Sequence, residues 1–209
     1  MKSSKTIILD ILFFGAIWGI LEATVGYVLH FVPTFLAGSI MFPIASVLLL
    51  RAYNKTGSKA SLLWIGVVAA SIKSVNLLMP AMSIWKTINP MISIVFEALM
   101  VFAVVKLLSG KQVASKLIAL PIASISWRIL FIGNMGIQFL ITGFLSNHLK
   151  DFGIAFEFVV ISGLISGAFA TLLYLGSLAF DKKVVSRYQV RPALAGVLLV
   201  LAVALTVVL

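Results

Sequence analysis

The chain has 209 residues, 62% hydrophobic and 11% charged, with a mean hydropathy of +1.18 and a formal charge of +10. So little polar surface excludes a globular protein in water, and the lack of cysteine excludes disulfides, thiolate catalysis and sulfur-ligated metals. The basic residues sit in short connections between apolar runs, so the positive charge reads as membrane topology and excludes a nucleic-acid surface.

Taken in order, the apolar runs cover 7–30, 34–52, 61–79, 90–108, 118–144, 153–180 and 193–209. Each reaches or nearly reaches the ~20 residues that carry a helix across the hydrocarbon core of a bilayer. The expected architecture is an all-α, polytopic transmembrane helical bundle. Six helices would form a substrate-binding core over 1–183, followed by a basic connection and a seventh helix over 184–209. A spanning β-barrel would show short segments of alternating polarity, and none occurs. The opening MKSSK imitates a signal peptide, but the run behind it continues through Gly19 and Gly26 without a small-x-small cleavage site. It reads as the first span.

Lys and Arg set the expected orientation. Lys2, Lys5, Arg51, Lys55, Lys59, Lys106, Lys111, Lys116, Lys182, Lys183, Arg187 and Arg191 fall on one side. The other side holds Lys86 and Lys150, while Lys73 and Arg128 lie inside spans. This places the N-terminus in the cytoplasm and the C-terminus outside, in a prokaryotic plasma (inner) membrane.

In that orientation the polar residues gather in the outer half. The first helix brings Glu22, the third Lys73 and Asn76, and the fourth Asn89 and Glu97, the last about 10 Å below the outer surface. The fifth helix adds Asn134 and Gln138 and the sixth Glu157, near enough to a helix end to be solvated, whereas the inner half is expected to be nearly bare. A charge at the centre of a membrane helix costs about 2.5–3.5 kcal/mol, so a buried lysine and glutamate call for partners or a purpose. Glu22, Lys73, Asn76, Asn89, Glu97, Asn134 and Gln138 are therefore the candidate substrate-binding set, lining a pocket open to the outside. Lys73 is expected to meet Glu22 or Glu97, directly or through a ligand. The competing readings are ion pairs that fix helix register and amides that glue helices together.

Arg128 has two readings. It is buried at mid-membrane if the fifth helix starts near Leu117, and it snorkels to the cytoplasmic surface if Pro121 ends an interfacial piece. Tyr27, His30 and Trp85 read as interfacial anchors, and His30 and His148 are too few for a metal site. Two stripes of small residues, Gly15, Gly19 and Ala23, and Ser162, Gly163, Ser166, Gly167 and Ala170, predict close helix contacts. Pro43 and Pro121 are expected to kink or end their helices, and Pro90 to begin one.

Enzyme signatures fail. There is no HExxH, no GxSG serine, no Gly-Lys phosphate loop and no paired aspartates for alcohol phosphotransfer. No catalytic residue, metal or cofactor is expected. Without a soluble domain, energy for transport must come from a partner or an ion gradient. An ion-coupled secondary carrier working through Glu22 or Glu97 is the first alternative, and an intramembrane enzyme or assembly factor the second.

Six basic-inside helices over 1–183, the stripe GAIWGILEA (Gly15 to Ala23) and polar groups collected toward the outer loops resemble the substrate-binding S components of energy-coupling factor (ECF) vitamin transporters. The resemblance implies a binding and uptake subunit for a small polar or zwitterionic solute, such as a vitamin or its precursor. It also implies connections that lid an outward cup, ATPase partners, and a transmembrane coupling subunit contacted by the small residues of the first helix. The seventh helix departs from the six usual in that family.

Overall fold

The computed structural model describes residues 3–29, 31, 34–79, 84–108, 110, 112–181 and 189–209, with side chains described throughout except at 34–38 and 179–181. His30, Lys2, Lys111, Lys182, Lys183 and Arg187, all used above, lie outside the described residues.

The helices are α1 (Ser4–Leu29), α2 (Thr34–Thr56), α3 (Ala60–Lys73), α4 (Ile84–Leu108), α5 (Val113–Thr142), α6 (152–181) and α7 (Pro192–Val208). α3 tightens into a 3₁₀ turn over Ser74–Leu78, and a second 3₁₀ turn, Asn147–Leu149, precedes α6. α6 itself begins as Phe152–Phe156, widens into a π-helical turn over Glu157–Ile161 and continues as Ser162–Asp181. Among the described residues there is no strand, and the protein is an all-α bundle. Among the described residues, five helices are long and apolar enough to cross a membrane: Ser4–Leu29, Ala60–Leu78, Ile84–Leu108, Val113–Thr142 and Phe152–Leu178. α7, with 17 residues, reaches about 25 Å at the helical rise and falls short of a ~30 Å core.

Local chemistry sets several boundaries. Gly143 takes the left-handed conformation (φ +70°) that ends α5, its N–H donating to Phe139 O at 2.8 Å. Asp151 caps α6, its Oδ1 accepting from Gly153 N at 2.7 Å and Ile154 N at 3.3 Å. Pro192 opens α7, where its missing N–H is not needed.

Contacts between particular residues give the topology. Asp10 meets Lys55, so the start of α1 lies beside the end of α2. Gly15 and Gly19 face Val68 and Ile72, so α1 and α3 run parallel. Lys59 sits over the Phe102 ring at 3.9 Å, which makes α3 and α4 antiparallel. Asn89 bonds Gln138 across α4 and α5. Gly163 faces Ile125 and Gly167 faces Pro121, so α6 returns along α5. Helices α1, α3, α4, α5, α6 and α2 thus close a ring in that order, α2 also touches α4 across it, and α7 packs outside on α1.

Both small-residue stripes are spent inside this ring. A Cβ on Gly15 would lie 2.5 Å from Val68 Cγ1, and one on Gly19 would lie 2.7 Å from Ile72 Cδ1. The stripe of α1 is therefore the seat of α3. On α6, Gly163 and Gly167 let the helix rest on the α5 backbone around Pro121 and Ile125.

Pro43 and Pro121 both lie within continuous helices, so of the two effects expected of them neither ends its helix. Three expectations are corrected. Pro90 does not begin α4, which starts six residues earlier at Ile84. Glu97 is consequently 13 residues, or about 20 Å, from the start of its helix, near the helix centre and deeper than the 10 Å expected. The half of the bundle opposite the amide layer is not bare, because the fully buried Asp10 stands there. For Arg128 the unbroken α5 decides between the two readings: the residue sits at mid-helix with no exposure.

Candidate functional site

Arg128 is the best place to build from. It lies on the inward face of α5 with Ala123, Ser124, Trp127 and Phe131, all buried. Its Nη1 donates to Ser124 Oγ at 2.6 Å and to Ser124 O at 3.1 Å, one turn back along its own helix. The guanidinium carbon stands 4.5 Å from the Trp127 ring centroid and 5.6 Å from that of Phe158, which belongs to the π-helical turn of α6. Such turns occur mostly as interruptions of α-helices at functional sites. Here the turn carries the ring that closes one side of the cation. Phe42, Phe131 and His148 complete an aromatic wall, with His148 and Phe158 centroids 4.4 Å apart.

Glu97 of α4 is the acidic member, 3% exposed. Arg128 on α5 and Glu22 on α1 are its electrostatic neighbours. Glu22, half-buried, accepts a hydrogen bond from Trp18 Nε1 at 3.2 Å, and Lys73 of α3 acts on it through space. Two acids and two bases from α1, α3, α4 and α5 therefore form a chain of charge, Lys73 to Glu22 to Glu97 to Arg128. Among the described residues no direct ion pair joins them, so Lys73 has the acidic neighbour expected of it without a salt bridge.

Many polar atoms here lack a hydrogen-bond partner. They include Glu97 Oε2, Arg128 Nε and Nη2, Trp127 Nε1, Thr87 Oγ1, Asn76 Oδ1 and Asn134 Nδ2. A buried polar atom left unmade costs about 1–3 kcal/mol, and more when charged, so seven such atoms point to a missing polar partner.

The seven sequence-predicted residues divide into three groups. Glu22, Lys73 and Glu97 belong to the charge chain. Asn89 and Gln138 pair with each other, Gln138 Nε2 donating to Asn89 Oδ1 at 2.7 Å, beside a cavity of about 50 Å³ that Trp85, Met135 and Ser146 help to line. Asn134 is half-buried on α5, and Asn76 sits in the 3₁₀ turn that contacts α4 and α7. Glu157 is exposed and joins none of them. The cavity beside Asn89 and Gln138 holds a few waters and is far below the ~300 Å³ of a typical small-molecule pocket.

Sequence reasoning placed Arg128 without assigning it to the site, and left out Thr87, Trp127 and Phe158 altogether. The available signal was an arginine 15 residues from the start of an apolar helix, next to a tryptophan. Asp10 was also missed, although an acid in the apolar run of α1 carries the same signal. No protein-family model, no curated protein and no solved structure matches this chain.

Proposed function

We propose that the protein is a multi-pass plasma-membrane subunit that binds a small polar or zwitterionic solute on the outer side and passes it inward, energised by a partner ATPase module through a coupling subunit. The observation that carries this reading is the set of buried, unpartnered polar atoms on α4 and α5, centred on Glu97 and Arg128. Intramembrane ionisable groups are by default functional, and these lie in the ring interior, where a solute would replace the missing hydrogen bonds. The described basic residues at the ends of the helices, Lys5, Arg51, Lys55, Lys59, Lys106, Lys116 and Arg191, favour a cytoplasmic N-terminus. With α1's small-residue stripe occupied by α3, the coupling subunit would dock on another surface.

Affinity purification in mild detergent tests it. Recovery of a coupling subunit and an ATPase pair supports the proposal. Transport by the protein alone in liposomes under a proton gradient would replace it with the ion-coupled carrier.

A further inference from the structure

We infer that the free edge of the Arg128 guanidinium is the anchor for a carboxylate of the bound solute, with Glu97 facing the solute's cationic or donor end. This rests on the binding reading above and names the solute's chemical class.

The argument is geometric. Arg128 has no solvent exposure, and four features hold its plane: Ser124 Oγ and Ser124 O on Nη1, the Trp127 ring, and the Phe158 ring. What remains is the edge carrying Nε and Nη2, and both atoms are buried without a hydrogen-bond partner. Those two N–H groups point the same way and present the spacing of a carboxylate's two oxygens, the fork that lysine cannot offer. The anchoring of Nη1 leaves this edge preorganised, so little conformational freedom is lost when an anion arrives.

Glu97 supplies the complementary half. It is 3% exposed, its Oε2 is unpartnered, and it feels the charge of Arg128 with no direct ion pair between them. A buried cation and a buried anion that act on each other without a direct ion pair suit a molecule bearing the opposite charges in reverse order. A carboxylate neutralises Arg128, and an ammonium neutralises Glu97 or an N–H donor hydrogen-bonds it. An uncharged solute would neutralise neither, and a bare metal ion would be repelled by Arg128.

The test is native mass spectrometry of protein purified into lipid nanodiscs, wild type beside Arg128→Lys, reading the identity and occupancy of the retained small molecule. A retained molecule carrying a carboxylate is expected, with occupancy falling about ten- to a hundredfold in Arg128→Lys as the bidentate contact is lost. Should Arg128→Lys fail to fold, the double variant Glu97→Gln/Arg128→Gln leaves no charge stranded and is expected to lose the molecule likewise. A retained molecule without a carboxylate, or one held undiminished by the variant that folds, overturns the Arg128 assignment while leaving solute binding intact. Wild-type protein that retains nothing overturns both.

Discussion

Lys55 Nζ stands 3.1 Å from Oδ1 of Asp10, a carboxylate with no exposure, and so ties the last turn of α2 to the second turn of α1. The Lys55 side chain is only 10% exposed, and its ammonium also lies 5.6 Å and 5.8 Å from the Phe13 and Phe14 rings. Losing one partner of a buried pair is costly because the remaining charge gives up one of its compensating contacts. Lys55→Met is expected to destabilise by about 1–3 kcal/mol. Asp10→Asn should cost less, because the flexible Lys55 stem lets its ammonium shift toward water. The double variant should recover most of the loss, and thermal unfolding of the three proteins in one detergent checks the order.

The bond from Gln138 to Asn89 joins the first turns of α4 to the last turns of α5 beside a cavity of about 50 Å³. Under the proposed function, a solute enters where those turns part. Gln138→Leu is expected to loosen the latch by about 1 kcal/mol, a several-fold rise in the open population. The chain has no cysteine, so Met135→Cys, at a buried position lining that cavity, gives a single reporter. A water-soluble maleimide should label it slowly in the parent and several-fold faster with Gln138→Leu; equal rates would show that the bond is no latch.

Glycines divide by what surrounds them. Gly19→Val would drive its Cβ into Ile72 and is expected to cost at least 1–3 kcal/mol through overpacking of α1 on α3. Gly133 and Gly136 on α5 meet nothing within 4 Å, so alanine at either should raise stability by about 0.5–1 kcal/mol through backbone propensity. Melting temperatures of the three variants should therefore shift in opposite directions.

His148, in the connection between α5 and α6, is half-buried against Phe158, and its Nδ1 has no partner. Burial holds its pKa below the ordinary 6.5 by disfavouring the charged form. A group depressed in the folded state contributes stability that is present above its unfolded pKa and lost as pH falls through the folded value. Wild-type protein should accordingly lose stability on acidification from about pH 7 to about pH 5. His148→Gln should flatten that loss, and a parallel decline in both proteins would remove His148 as its source.

Much of the fold was legible before any coordinates. Apolar runs of membrane length became the helices, and small residues at four-residue spacing became the close contacts of α1 with α3 and α6 with α5. Helix starts were less legible, because Pro90 looks like a first-turn residue while Ile84 to Asn89 carry the helix one and a half turns farther.

Composition and charge order by themselves determined the all-α bundle of long apolar helices and which residues would be costly to bury, since both depend on transfer from water and on the length of a run. Tertiary structure decided which of those residues meet. Glu22 comes under the charge of Lys73 because glycines let α1 lie against α3, and Arg128 under that of Glu97 because α5 runs unbroken through Pro121 with that side chain buried. Depth along one helix is written in its residue numbers. The rotation that aims a side chain at a neighbour is set by packing between segments far apart in the chain, and no local pattern records it.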